Sequence, residues 1–203
     1  MPILIKNIKT WTPRKMNIWD RYANFVYRVA TGRKKLKMVI TLPVAVLFFG
    51  LVSLFVLASI WVDKSLLFFH FDASWWTLSL SIILLSLGWL VCLWTALSFL
   101  RNRGTPVPFN PPLKLIITGL YSHIRNPMLL GLFIFMLGLG VLFGSLSLIF
   151  IFTPLFVLVN VLYLKAIEEK EMEKKFGAEY VEYKKKVPMF IPKFAAIWKT
   201  KKE

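Results

Sequence analysis

One cysteine, two histidines and ten acidic residues are a sparse supply of reactive groups for a chain of 203 residues. With Cys92 alone there is no internal disulfide framework. Cys92 lies inside an apolar run and reads as a small core residue. No metal site is expected. The few acids stand against 26 lysines and arginines, a formal net charge of +16. Such an excess suggests nucleic acid, but the basic residues flank apolar runs instead of alternating with exposed stacking aromatics. No nucleic-acid partner is expected; the counter-charge implied for the basic N- and C-terminal segments is anionic lipid headgroup.

What the chain has in quantity is apolar surface. Hydrophobic residues make up 57% of it and aromatics 16%, with a mean hydropathy of +0.64. A soluble domain of this size is less apolar. The reading is an all-α, polytopic membrane bundle.

A helix needs about 20 residues to cross a hydrocarbon core of about 30 Å. About four runs are drawn against that requirement: about 38–62, 75–100, 128–143 and 146–164, of which the third is short for a span. Pro43 falls in the first turns of the first run, where a missing N–H is tolerated. Only Gly144 and Ser145 separate the last two runs, so they form a tight antiparallel hairpin. Gly131 and Gly138, seven apart, share a face that lets a neighbouring helix approach closely. Residues 1–37 form a basic, partly amphipathic segment whose Trp11–Lys37 tract suits a helix lying along the membrane. Residues 38–203 form the membrane domain, with cytosolic helices over 165–203.

Orientation follows the basic residues. Ten precede residue 38, only Lys64 lies between the first two runs, and the remainder fall in the 101–125 loop and the tail from Lys165. The positive-inside rule places both termini and the second loop in the cytoplasm. The N-terminal segment is too long and too basic for the first part of a cleavable signal, so the first span is retained.

Chemistry concentrates at the ends of the last two runs. Tyr121, His123, Arg125, Asn126 and Pro127 open the third; Glu168 and Glu169 follow the fourth. Each has a plain structural reading. Asn126 and Pro127 suit the N-cap and first position of a helix. Arg125 suits an interfacial anchor, Tyr121 an aromatic belt, and His123 a solvated loop. Glu171 with Lys175 reads as an ordinary i,i+4 pair on a solvated helical face running to a terminating Gly177. A hairpin nevertheless brings Arg125 and the paired glutamates to one mouth, and charges at that depth usually have a partner or a task. Carboxylates for a cationic group beside an arginine for an anion suit a zwitterionic cofactor such as S-adenosylmethionine. The same charges also suit lipid headgroups.

The block GTPVPFNPPLKLIITGLYSHIRNPMLLG from Gly104 to Gly131, the Glu168-Glu169 pair and the tail FGAEYVEYKKKVPMFIP together resemble the superfamily of isoprenylcysteine carboxyl methyltransferases and phospholipid methyltransferases. The resemblance covers about Gly104 to Pro192. It implies an S-adenosylmethionine-dependent methyltransferase acting on a lipid or lipidated acceptor delivered from the bilayer. By position it implicates Gly119, Leu120, Tyr121, His123, Arg125, Asn126, Pro127, Glu168 and Glu169 in cofactor binding. Tyr180 and Tyr183, three apart on one helical face, match the tail element and are implicated with them, covering the cofactor or the lipid entrance. Arg125 and Glu169 are the residues expected to matter most, mainly through cofactor affinity. Many members carry histidine where Asn126 stands. Isoprenylcysteine-specific members tend to have an arginine where this chain has Met189, which weakens the case for a prenylcysteine carboxylate. Ethanolamine phospholipid is one alternative acceptor. A membrane lipid or sterol reductase using NADPH, and a non-enzymatic binder of anionic lipid, are the alternative classes.

Overall fold

The computed structural model describes residues 34–65, 74–101 and 114–191, together with Arg21. Among these the chain is helical, without strands. Helix α1 runs Lys34–Ser65, α2 Trp75–Arg101, α3 Pro127–Leu142, α4 Leu148–Phe176 and α5 Ala178–Lys186, with a short 3₁₀ turn at Gly119–Ser122. The expected interfacial helix over Trp11–Lys37 falls mostly outside the described residues. Helix α1 already begins at Lys34, so Pro43 is well inside it and not in its first turns. There it has no N–H to offer the carbonyl one turn back.

Three stretches are long and apolar enough to cross a membrane: Val46–Ser65, Trp75–Arg101 and Leu148–Phe176. With this surface the chain is an integral membrane protein. Large side chains such as Leu47, Trp61, Trp89, Trp94, Phe150 and Leu162 stand exposed around these helices, as expected where the solvent is hydrocarbon. Helix α3 is apolar but has 16 residues. At 1.5 Å per residue it rises about 24 Å, short of a full span. The expected set of four therefore resolves into three full-length helices and one short one.

Helix α3 is wedged between its neighbours. A methyl group added at Gly88 of α2 would come within 2.6 Å of the Gly131 carbonyl oxygen, and one at Gly131 within 2.9 Å of Cys92 Sγ. Gly138 meets Leu85 in the same way at 3.0 Å. Gly131 and Gly138 thus share the face that admits α2, as their spacing predicts. Cys92 packs into this seam and donates to the Met128 carbonyl at 3.4 Å. On its other side α3 contributes Phe133 and Met136 to a core with Leu148 and Phe156 of α4, capped by Phe48 and Phe55 of α1. The Phe55 and Phe133 rings both meet Phe156 edge-on, at 5.6 and 6.0 Å.

The hairpin tip is built from polar groups. Gly144 takes φ +62°, a left-handed conformation that glycine adopts without penalty. Ser145 N–H then reaches the Gly140 carbonyl at 2.9 Å and Gly144 N–H that of Val141 at 3.2 Å, a paired closure of the helix end. Ser145 Oγ accepts from Leu148 N–H at 3.1 Å, capping α4, and donates to Asp63 Oδ2. Asp63 Oδ1 accepts from Ser147 N–H at 3.1 Å, and Ser147 Oγ donates to the Ser59 carbonyl at 2.9 Å. The sequence reading put Asp63 in the loop after the first span. It is instead 2% exposed, inside α1, and pins that helix to the hairpin.

Candidate active site

At the opposite end of the hairpin, the start of α3 meets the end of α4. Helix α4 is continuous from the bilayer into the polar tail, with a π-helical turn at Leu164–Glu168. Such wide turns re-aim the side chains that follow and recur at functional sites. This one delivers the two glutamates. Gly177, at φ +58°, then reverses the chain so that α5 folds back over them.

The segment after α5 pairs with the entrance to α3. Arg125 N–H bonds the Pro188 carbonyl at 2.9 Å and Asn126 N–H the Met189 carbonyl at 3.2 Å. Arg125 Nε donates to the Val187 carbonyl at 3.0 Å. Its Nη1 is then aimed at Glu169 Oε1, 2.7 Å away. Glu169 Oε2 receives Lys184 Nζ of α5 at 2.5 Å, and Lys184 also reaches Glu173 at 3.1 Å. One buried carboxylate thus carries two cations from two separate segments. Burial opposes the charge on Arg125, but the hydrogen bonds it donates to Glu169 and Tyr180, with the Glu169 charge, outweigh it and hold the guanidinium above its ordinary range. The bond to Glu169 likewise raises Lys184.

Three tyrosines wall the cluster. Tyr180 and Tyr183 are buried with Val187 against Leu115, Ile117, Met172 and Phe176. Tyr183 Oη donates to the Tyr121 carbonyl at 2.7 Å, and the Tyr121 ring meets Phe99 of α2 edge-on at 5.9 Å. Burial pushes the Tyr180 phenol up to about 12 and moves Tyr121 and Tyr183 well above the usual range. All three are neutral at physiological pH.

The structure gathers Tyr121, Arg125, Glu168, Glu169, Tyr180 and Tyr183 around one point. Gly119, at φ +63°, and Leu120 form the turn that presents Tyr121. Pro127 is buried at the first position of α3, and Asn126 occupies the N-cap without a capping bond from its side chain. The expected side-chain cap is therefore absent. His123 is exposed, and its ring bonds locally to Ser122 Oγ at 2.9 Å and the Gly119 carbonyl at 3.4 Å. Glu168, half-buried, is close enough for its charge to act on Tyr121 and Tyr180.

Two residues were misjudged or missed in the sequence. Glu171 is 3% exposed, not on a solvated face, and its Oε1 has no hydrogen-bond partner among the described residues. Its signal was the i,i+3 spacing from Glu168, overshadowed by Lys175 one turn on. Lys184 was one lysine in a run of three, and only the turn at Gly177 shows which of them reaches Glu169.

Residues 76–179 match the phospholipid methyltransferase family. The chain belongs to this family. It is 37% identical over 81 residues to the protein-S-isoprenylcysteine O-methyltransferase of Schizosaccharomyces pombe, a stretch covering 38% of this chain and 33% of that protein. It is 32% identical over 106 residues to methanethiol S-methyltransferase 2 of Bradyrhizobium diazoefficiens, covering 49% of this chain and 36% of that protein. The chain thus spans about a third of the length of the curated relatives it matches. The family match takes in Arg125, Glu168, Glu169 and Glu171, and ends at the start of α5.

Proposed function

We propose that this protein is a membrane methyltransferase that uses S-adenosylmethionine and acts on a lipid or lipidated acceptor presented from the bilayer. The observation that carries the reading is that the family match takes in Arg125 and Glu169, which the structure brings into one buried ion pair at the open end of the hairpin. Names of relatives with three kinds of acceptor (phospholipid, prenylcysteine, thiol) agree on methyl transfer and differ in what receives the methyl.

The residues present fit such a cofactor. A buried carboxylate oxygen of Glu171 lacks a hydrogen-bond partner among the described residues, and Glu168 stands beside it; together they offer acceptors for ammonium or hydroxyl donors. Arg125 offers its remaining guanidinium N–H groups to a carboxylate. When bound, S-adenosylmethionine supplies a methyl already activated by its sulfonium. The protein's task is then chiefly to position, an effect worth several kcal/mol. Glu169 locks Arg125 and α5 into place, and the neutral tyrosines wall the pouch and keep out water. An acceptor carboxylate needs no base; an amine or thiol acceptor loses a proton, and Glu168, half-buried beside Arg125 and Tyr121, is the carboxylate placed to take it.

The surroundings favour a greasy acceptor. An apolar recess lined by Phe133, Leu137, Ile149, Pro154, Val157 and Val161 lies between α3 and α4 and suits a hydrocarbon chain. The basic segments, by the positive-inside rule, place the site and both termini on the cytoplasmic side, near anionic headgroups.

The test is to incubate purified protein with methyl-labelled S-adenosylmethionine and, separately, total membrane phospholipid, a prenylated cysteine peptide and a short alkanethiol. Label in the lipid or the prenyl peptide supports the reading. Label in the thiol alone moves the acceptor to small thiols, and failure to bind the cofactor at all overturns the methyltransferase assignment.

A further inference from the structure

We infer that Glu171 is a cofactor-binding residue whose buried carboxylate receives the ammonium end of the methyl donor, in partnership with Glu168. The inference rests on the methyl-transfer reading above and goes beyond it by naming the subsite.

Two carboxylates in this cluster are adjacent in sequence, but Glu169 is already neutralised twice over, its Oε1 by Arg125 and its Oε2 by Lys184. A further cation gains more at a carboxylate that is not already paired with two. Glu171 lies three residues beyond Glu168, so both side chains occupy one face of α4, and the charge on Glu168 acts directly on Glu171.

Burial makes the arrangement costly without a ligand. Glu171 is 3% exposed, and its Oε1 is shut off from solvent with no hydrogen-bond donor among the described residues. A buried acceptor left without a donor costs stability. The charge of Lys175, one turn on, acts on Glu171, and its ammonium lies 5.1 Å over the ring of Phe176. Among the described residues no group of three or more histidine, cysteine or acidic side chains could hold a metal ion, so a divalent cation is a poor occupant. A compact organic cation with several N–H donors satisfies both requirements, charge and hydrogen bond. Glu168, half-buried, marks the side from which it enters.

Calorimetric titration of the full chain in detergent decides the matter. S-adenosylmethionine and 5′-methylthioadenosine, which lacks the amino-acid end, are titrated into wild type, Glu171→Gln and Glu171→Ala, with the melting midpoint recorded for each. The expected result is at least a tenfold loss of S-adenosylmethionine affinity in Glu171→Gln, unchanged methylthioadenosine affinity, and a melting midpoint equal to or above that of wild type. Unchanged S-adenosylmethionine affinity in a folded Glu171→Gln overturns the inference and leaves the methyltransferase reading intact. An equal loss for both ligands also overturns it, by moving the contact to the nucleoside. If wild type binds neither ligand, inference and reading fall together.

Discussion

Glu169 holds the site together by answering two cations at once. Replacing it by alanine strands Arg125, which stays tied to the Val187 and Pro188 carbonyls and cannot leave. Breaking such a buried pair from one side costs about 3–5 kcal/mol. Glu169→Ala should therefore both lower the melting midpoint and abolish measurable S-adenosylmethionine binding; a stable variant with wild-type affinity would contradict this. Lys184 supplies the other half of the clamp, and its pKa is raised in the folded state. A raised value means that its stabilisation is full below the ordinary lysine range, near about 10.4, and is lost only as pH climbs through the higher folded value. The difference in melting midpoint between wild type and Lys184→Met should thus stay constant from neutral pH to about 10 and shrink in stronger alkali. A difference that disappears near neutrality would show that the contact does not stabilise. Arg125 and the glutamate pair were legible in the sequence because charges beside apolar runs are conspicuous. Lys184 and the buried state of Glu171 were not, because both depend on where α5 lands after Gly177.

At the level of elements, the α2–α3 seam is set by glycine. A methyl at Gly88 meets backbone atoms, the Gly131 oxygen at 2.6 Å and the Phe135 nitrogen at 2.7 Å, which cannot swing aside. Gly88→Ala should cost about 1–3 kcal/mol through overpacking, read as a lower melting midpoint, whereas Gly50→Ala, with nothing within 4 Å, should be neutral. Equal behaviour of the two variants would refute the close contact. The far end of the hairpin depends on Asp63. Asp63→Ala removes the acceptor for Ser147 N–H and Ser145 Oγ, and a buried donor left unmet costs about 1–3 kcal/mol. Because this network lies a helix length, about 24 Å, from Arg125, cofactor affinity should survive in the folded fraction; loss of affinity without loss of stability would show coupling between the two ends. The hairpin itself was visible as Gly144-Ser145 between two apolar runs. Its anchor was not, since nothing local marks Asp63 as the partner of serines more than 80 positions away.

For the whole molecule, the charge pattern makes a topological prediction. With Cys92 replaced by alanine, single cysteines introduced near either terminus should react with a membrane-impermeant maleimide only from the cytoplasmic face, and one introduced near Lys64 only from the other. Protection of the terminal cysteines on the cytoplasmic face would reverse the orientation. By itself, the sequence determined that the chain enters a membrane as helices, where they break, and which family it belongs to, because hydropathy, glycine turns and a contiguous motif are local properties. It also marked the third run as short for a span, and the structure makes that run a 16-residue helix wedged between its neighbours. Only the tertiary structure decided that Glu169 is consumed by Arg125 and Lys184, that Glu171 is buried with an oxygen to satisfy, and that Asp63 locks the hairpin tip. Those outcomes depend on which side chains meet after α4 and α5 fold back, and burial and pairing are properties of that meeting.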